Sequence, residues 1–392
     1  MEKIRIGDAC ELLNGFAFKS ENYVKEGIRI IRIANVQKGY IEDNTPAFYP
    51  ADSEGLDKYM LEENDLLMSL TGNVGRVAIL QKDMLPAALN QRVACLRLKT
   101  DRITKEYLFH LLNSDFFEQK CIQSSKGVAQ KNMSTEWLKD FLIPVYSVEK
   151  QQEITTTLDN LRDIINKRKQ ELNKLDDLIK ARFVEMFGDL ADPACKWEKC
   201  KLVDVCVNSD DIKCGPFGTQ LGKDEYTEEG VAVWEIPQIN SEFRTLPTHF
   251  VTEKKAEELD AYSIIPGDIA MSRKGNVGRC AVFPSSFENG IIHSDVLRIR
   301  LNEMKALPEF MMRQLHYSGD IQHQIELVSS GAIMAGINVT KLKQILIYLP
   351  PMNLQSEFVE FVAQVDKSKV AVQKSLDETQ LLFNSLMQKY FG

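Results

Sequence analysis

The 392-residue sequence contains no long apolar run. No stretch approaches the ~18 consecutive apolar residues that a membrane-spanning helix requires. The opening residues, MEKIRIGDAC, alternate apolar and charged side chains, so we expect no secretory leader there. These features predict a cytoplasmic protein.

Histidine is scarce and cysteine is thinly spread, with five and eight residues respectively. No His-Glu-x-x-His pattern occurs. Cys195, Cys200, Cys206 and Cys214 lie near one another in sequence but lack the paired Cys-x2-Cys spacing of structural zinc sites. We therefore expect reduced, semi-buried thiols and no bound metal.

Motifs that would supply a phosphate-binding loop or a nucleophile are also absent. The segment GTQLGKD (218–224) has the lysine of a nucleotide-binding loop, but its glycine spacing is wrong and no Ser or Thr follows the lysine. His293, Ser294 and Asp295 are adjacent, and neighbouring strand residues point to opposite faces, so they cannot form a catalytic relay. No Asn/Asp-Pro-Pro-aromatic motif of an amino-methyltransferase is present. The sequence predicts no catalytic residue and no cofactor of its own.

An excess of basic residues is missing as well, since 48 Lys and Arg against 56 Asp and Glu give a net charge of −8. A protein that binds nucleic acid by charge alone is usually basic. Any DNA contact must therefore come from local basic loops or be shared with a more basic partner. The composition, 44% hydrophobic and 27% charged, is typical of a soluble globular protein, and the length predicts two or three domains, of which two is the working count.

The sequence does contain a long tandem repeat of two copies. NDLLMSLTGNVGR (64–76) matches GDIAMSRKGNVGR (267–279), and YVKEGIRIIRI (23–33) matches YTEEGVAVWEI (226–236), both at an offset of 203 residues. IPVYSVEKQQEI (143–154) aligns with IYLPPMNLQSEF (347–358) at an offset of 204. A period this long indicates duplicated domains.

Each copy contains a mixed globular part followed by a long helix. Short runs of β-type composition, such as 28–33 and 93–98, alternate with Gly, Asn and Pro, and a helical pattern follows at 107–119. The predicted fold class is α/β (α+β) in two tandem copies. We predict globular domains at residues 1–146 and 189–350, and helices at residues 147–188 and 351–392.

Both helices carry apolar residues in four-three alternation, the pattern of a coiled-coil seam. The predicted seam residues are Ile154, Leu158, Leu161, Ile165, Leu172, Leu175, Ile179, Phe358, Val362, Val365, Val372, Leu376, Phe383 and Leu386. Polar residues interrupt the seam at different places, with Arg168 and Arg182 in one helix and Lys369 and Thr379 in the other. This indicates that the helices pair with each other, as rods of ~60 Å that could hold two domains at a set distance. The alternative is that each helix packs separately on its own domain.

Each copy also contains a glycine loop rich in hydrogen-bonding side chains, together with polar segments at equivalent places. Arg and Lys suit phosphate oxygens or guanine edges, and Asn suits adenine. The candidate DNA-binding residues are Lys19, Ser69, Thr71, Asn73, Arg76, Asn90, Gln91, Arg92 and Lys126 in the first copy, and Lys213, Thr219, Gln220, Ser272, Arg273, Lys274, Asn276, Arg279, His293 and Ser294 in the second. The alternative for the loop glycines, Asn73 and Asn276 is an inherited structural turn. A scaffold alone does not require the change from Leu70-Thr71 to Arg273-Lys274.

These features, in this order and duplicated, resemble the specificity (S) subunits of bacterial and archaeal type I restriction-modification systems. The resemblance covers the whole chain and rests on the glycine boxes, the two junction segments, and the heptad helices that end in Phe187-Gly188 and Phe391-Gly392. The junctions depart from the family's usual Ile-Pro-Leu-Pro-Pro-x-x-x-Gln form at Tyr146-Ser147 and at Tyr348.

The resemblance implies two target recognition domains, each reading one half of a split, asymmetric site in double-stranded DNA. It also implies that the helices form an antiparallel coiled coil that docks two modification (M) subunits. Those partners would carry S-adenosylmethionine and methylate an adenine in each half-site, and up to two restriction (R) subunits would add cleavage that depends on ATP and Mg²⁺. The chain itself would be non-catalytic and hold no cofactor.

Two alternatives stay open at this point. One is a coiled-coil scaffold or adaptor whose two duplicated domains bind ligands other than DNA. The other is a self-sufficient nuclease or methyltransferase with a degenerate motif, which the missing ligand sets disfavour.

Overall fold

The structure is a computed structural model. It describes residues 2–125, 132–190, 192, 195–329 and 336–392. The chain divides into two compact units. Unit 1 comprises Met1–Gln170 and Val372–Gly392, and unit 2 comprises Glu171–Ala371. Across the described ranges, no helix combines the length and the apolar character needed to cross a membrane.

Unit 1 is a mixed α/β domain built from three small sheets. Its strands are β1 (Glu2–Arg5), β2 (Cys10–Asn14), β3 (Ile28–Ile31), β4 (Phe48–Tyr49), β5 (Leu66–Ser69), β6 (Val77–Ile79), β7 (Ala87–Leu89), β8 (Val93–Leu98) and β9 (Leu142–Val145). Its helices are α1 (Ile6–Ala9), α2 (Lys105–Leu112), α3 (Asp115–Ser124), α4 (Thr135–Asp140), the first part of α5 (Val148–Phe187) and the last part of α11 (Met352–Phe391). An antiparallel sheet has the order β2-β8-β5-β6, a second sheet has the order β4-β3-β7 with β3 and β7 parallel, and β1 pairs with β9.

Unit 2 repeats this architecture. Its strands are β10 (Glu198–Lys201), β11 (Ile212–Cys214), β12 (Val231–Trp234), β13 (His249–Val251), β14 (Ser263–Ile264), β15 (Ile269–Ser272), β16 (Cys280–Val282), β17 (Gly290–Ile292), β18 (Val296–Ile299) and β19 (Leu346–Leu349). Its helices are the end of α5, α6 (Ile236–Asn240), α7 (Glu253–Glu258), α8 (Pro308–Tyr317), α9 (Gly319–Ser329), α10 (Val339–Leu342) and the first part of α11 (Met352–Phe391). The sheet orders are β11-β18-β15-β16, β13-β12-β17-β14 and β10-β19, with β12 and β17 parallel.

The central antiparallel sheet of each unit is buried on both faces. In unit 1, Leu66 and Met68 of β5 face the core that contains α2 and α3, whereas Leu67 between them faces the core shared with β7. Alternate strand residues point to opposite faces. Because both faces of this strand are buried, all its neighbouring positions are apolar from Leu66 to Met68. The same alternation occurs in β15, where Ile269 and Met271 face one core and Ala270 faces the other.

The two units share one framework. Every strand of unit 1 has an equivalent in unit 2 at the same place in its sheet, and β14 is the additional strand. An ion pair also recurs, because Arg97 contacts Asp65 at 2.7 Å and Arg300 contacts Asp268 at 2.7 Å, 203 residues later. The predicted tandem duplication of an α/β domain is confirmed.

The two 40-residue helices pair in antiparallel fashion. Within unit 2, Asp176 of α5 contacts Lys369 of α11 at 2.6 Å, and Arg182, further along α5, contacts Glu357, nearer the start of α11, at 2.8 Å. Within unit 1, Ile154 near the start of α5 shares a core with Phe391 at the end of α11. The coiled-coil prediction is confirmed, and the polar seam position Lys369 forms an ion pair between the helices.

All the predicted seam residues are buried or partly buried. The heptad pattern missed two side chains near the end of α5, Phe183 and Phe187, which are 2% and 3% exposed. At this end the buried stripe follows a spacing of four residues from Ile179, because the helix packs against α8 as well as α11. Arg182, which the heptad frame placed on the seam, lies at its edge and pairs with Glu357.

Phe183→Ala should lower the free energy of unfolding by about 3–5 kcal/mol. Its ring centroid lies 5.4 Å from that of Phe358 and 6.0 Å from that of Phe310, so truncation would open a cavity where three helices meet. Chemical denaturation followed by circular dichroism measures the change. The exposed neighbour Val184 supplies the control, since Val184→Ala should cost less than about 0.5 kcal/mol. Similar small losses for both variants would show that this aromatic cluster does not stabilise the unit.

Candidate nucleic-acid interface

In unit 1, three loops that are distant in sequence meet at one end of the central sheet. The N–H of Leu70 donates to the carbonyl of Arg92 (3.0 Å), and the N–H of Gln91 donates to the carbonyl of Phe16 (2.9 Å). The chain also returns to this place at Met133, whose N–H donates to the carbonyl of Leu70 (2.9 Å). The loops are residues 70–76 between β5 and β6, 90–92 between β7 and β8, and 15–19 after β2.

Unit 2 builds the same junction from different side chains. The N–H of Arg273 donates to the carbonyl of Asp295 (2.8 Å), and the N–H of Ile337 donates to the carbonyl of Arg273 (3.1 Å). These bonds are the equivalents of those at Leu70. The loops are residues 273–279, 293–295 and 215–220. The predicted polar segments are therefore brought together in each unit.

Two glycines permit this close approach. A Cβ atom on Gly15 would lie 2.3 Å from backbone atoms of Asn90, and one on Gly215 would lie 2.3 Å from the carbonyl oxygen of His293. No side chain fits at such a distance. The equivalent segments NGFAFKS (14–20) and CGPFGTQ (214–220) therefore share this glycine while their other positions differ.

The glycine loops are tight turns whose glycines have positive φ. Gly72 and Gly75 have φ of +72° and +81°, and the corresponding angles in unit 2 are +67° and +83°. Asn73 and Asn276 do not share this conformation, and both are exposed. Turn chemistry therefore accounts for the glycines but does not require asparagine at these two positions.

Two of the candidate residues are buried at the base of the loop. Ser69 and Ser272 are 1% and 0% exposed. The Ser69 hydroxyl donates to the carbonyl of Asn73 and accepts a hydrogen bond from the N–H of Arg76 (3.1 Å). The structure therefore does not present either hydroxyl to solvent.

The remaining candidates lie at or near the surface. The exposed ones are Lys19, Asn73, Gln91, Arg92, Thr219, Gln220, Asn276 and Arg279. The partly buried ones are Thr71, Arg76, Asn90, Lys213, Arg273, Lys274, His293 and Ser294. Lys126 lies outside the described residues.

Carboxylates accompany the cations of the unit 2 loop. Lys274 contacts Asp295 at 2.8 Å, and Arg279 contacts Glu242 at 2.9 Å. The Arg273 guanidinium stacks on Phe217, 4.9 Å from its ring centroid, and donates to the carbonyl of Ile337 (3.2 Å). The loop is thus held in one arrangement, and an anionic ligand would have to compete with these carboxylates.

Sequence reasoning missed one cation at the unit 1 junction, Arg32. It follows β3 directly and lines an open cavity of about 360 Å³ with the predicted residues Asn90, Gln91 and Arg92 and the ring of Phe18. Its equivalent in unit 2, 203 residues later, is Glu235. This reversal of charge directly after the aligned strands β3 and β12 is the sequence signal that could have identified Arg32.

The buried thiols are not poised for chemistry. Burial raises the pKa of Cys206 and of Cys280 to about 12. The Cys280 Sγ lies 3.2 Å from Nε2 of His316, but burial lowers the pKa of that imidazole to about 4, so both groups are neutral near pH 7. In the part of the chain that the structure describes, no three His, Cys, Asp or Glu side chains are grouped to hold a metal ion.

The comparisons with known proteins agree with this architecture. A family model described as "Type I restriction modification DNA specificity domain" matches residues 1–174 and again residues 195–379. The "Type I restriction enzyme EcoBI specificity subunit" of Escherichia coli is 24% identical over 414 residues, which cover 98% of this chain and 83% of that protein. The "Type I restriction enzyme MjaVIII specificity subunit" of Methanocaldococcus jannaschii is 30% identical over 183 residues, but the match covers only 44% of this chain and 43% of that protein.

A solved structure shares the fold along the whole chain. The S subunit of a type I restriction-modification system from M. genitalium superposes with a TM-score of 0.59 at 17% identity, covering 100% of this chain and 96% of that one. Because two copies of the family domain fill most of the sequence, the chain belongs to the type I restriction-modification DNA specificity domain family.

Proposed function

We propose that this chain is the DNA specificity subunit of a type I restriction-modification complex and that each unit reads one half of a split, asymmetric site. The observation that carries this proposal is the pair of equivalent loop junctions, which share their backbone bonds but differ in side chains. Asn90-Gln91-Arg92 in unit 1 is replaced by His293-Ser294-Asp295 in unit 2. Base edges are read by such donors and acceptors, so two junctions with different chemistry favour two different half-sites.

The paired helices would set the spacing of the half-sites and dock two M subunits. The helices leave several large apolar side chains exposed, and the M subunits would cover them in this proposal. They include Ile164, Leu178, Val184, Val370, Leu381 and Leu382.

The chemical steps belong to partners in this proposal. The M subunits would carry S-adenosylmethionine and methylate adenine, and R subunits, where present, would use ATP and Mg²⁺. The chain itself would hold no cofactor and act in the cytoplasm. The net charge of −8 fits an assembly in which other subunits neutralise part of the DNA phosphate charge. An adaptor that binds ligands other than DNA is not favoured, because both domains match a DNA specificity family.

A complex of the full chain with its M subunits should protect two short DNA segments separated by an unprotected or weakly protected spacer. We expect the segment centres about one helical turn apart, since two readers held at a set spacing should engage one face of the duplex. DNase I or hydroxyl-radical footprinting on a methylated target locates both segments. A single continuous block, or protection that is independent of sequence, would contradict the proposal.

Lys274→Ala and Arg273→Ala should each weaken binding to the cognate site. Loss of a base-edge contact would cost roughly 1 to 3 kcal/mol at one base position, whereas loss of a phosphate contact would weaken all sequences and reduce the salt dependence. Titrations of labelled duplexes at two salt concentrations distinguish these results. The control is Lys254→Ala, because Lys254 is exposed on α7 beyond the opposite end of the strand pair β12–β13. Unchanged binding in both test variants would remove this loop from the interface.

A further inference from the structure

The residue that directly follows β3 in unit 1 and β12 in unit 2 changes from a cation to an anion. Arg32 and Glu235 are 203 residues apart and stand at the same place in aligned strands. The strands themselves keep one framework, with Ile31 paired to Leu89 in one unit and Trp234 paired to Ile292 in the other. The shared fold therefore does not account for opposite charges at this position.

The position lies beside the candidate interface in both units. Because β3 and β7 are parallel, their carboxyl ends meet at one edge of the sheet. The N–H of Asn90 donates to the carbonyl of Ile31 (3.2 Å), and the N–H of His293 donates to the carbonyl of Trp234 (2.9 Å). The next side chain along each strand, Arg32 or Glu235, thus emerges next to the loop of 90–92 or 293–295.

The backbone and guanidinium of Arg32 are anchored at the wall of the 360 Å³ cavity. Its Nη2 donates to the carbonyl of Thr45, and its backbone N–H donates to Oδ1 of Asn35 (2.9 Å). Its buried Nε has no hydrogen-bond partner within the described residues. Arg32 therefore lines this open cavity together with an aromatic residue, Tyr23, and an amide residue, Gln91.

Glu235 is held by a different set of contacts. Its Oε2 lies 2.8 Å from Nδ1 of His249, and its backbone N–H donates to Oε1 of Gln238 (3.1 Å). The His249 ring in turn lies 4.9 Å from the ring of Tyr226. The carboxylate side chain is one-fifth exposed, so it is oriented without being sealed from a ligand.

We propose that Arg32 and Glu235 are specificity-determining residues at one equivalent position. Arg32 donates to O6 and N7 of a guanine in the half-site of unit 1, and Glu235 accepts a hydrogen bond from the N4 amino group of a cytosine in the half-site of unit 2. This inference rests on the proposed function. A phosphate contact would suit Arg32, but a carboxylate at the same place in the second unit would repel phosphate. Base edges offer both acceptors and donors, so they fit both residues.

The test uses the full chain assembled with its M subunits and a duplex library randomised across both half-sites. The base pattern is read by sequencing the bound fraction. Arg32→Ala should lower the preference for guanine at one position of one half-site by roughly 5- to 150-fold and leave the other half-site unchanged. Glu235→Gln should remove a cytosine preference in the opposite half-site, so each variant serves as a control for the other.

Two further variants make the outcome decisive. Lys82→Ala removes an exposed cation beyond the far end of β6 and should leave the base pattern unchanged. Arg32→Lys keeps the charge but loses the planar fork of the guanidinium, so it should weaken the guanine preference while the complex still binds DNA. If Arg32→Ala lowers the melting temperature of the protein, the base pattern of Arg32→Lys is the result that tests the proposal.

The proposal is overturned if the Arg32 variants weaken all sequences equally, or if neither Arg32 nor Glu235 variants alter the base pattern. The proposed function fails differently, because the unaltered complex would then recover no split base pattern at all.

Discussion

The burial of both long helices in the same cores is the constraint on which the rest of the structure depends. In unit 2 the end of α5 and the start of α11 meet at Phe183, Phe187 and Phe358, and in unit 1 Phe391 at the end of α11 contacts the ring of Tyr107. Neither helix could leave without exposing large apolar side chains to water. The helices are therefore part of each domain core as well as of the coiled coil.

Because this shared burial stabilises each unit, the loop residues can differ between the two units. The central sheets are covered on both faces, and the Arg97–Asp65 pair and its equivalent in unit 2 tie the end of the sheet opposite the junction. The same backbone hydrogen bonds join the loops at both junctions, and in unit 2 side-chain contacts such as Lys274–Asp295 add to them. A side chain there can be replaced without loss of the framework, as the pair Asn90 and His293 shows.

Charge was the least predictable part of the site. The sequence showed Lys274 and Arg279 as candidate cations, but only the folded chain places Asp295 and Glu242 against them. The sequence likewise placed Ser69 among the candidate DNA-binding residues, although its hydroxyl donates to the carbonyl of Asn73 within the turn. Arg32 escaped notice because it follows an ordinary apolar strand, and the cavity that it lines is formed with segments 9 to 60 residues away in sequence.

The repeat, the mixed α/β class and the helix pairing could all be read from the sequence, because duplication and heptad spacing are periodic along the chain. The family resemblance depended on the same order of segments. Only the tertiary structure decided which polar residues share a junction and which are buried within the fold. It also decided that the buried stripe of α5 continues through Phe183 and Phe187 and leaves the heptad spacing. Those outcomes follow from contacts between segments distant in sequence, and local spacing carries no information about such contacts.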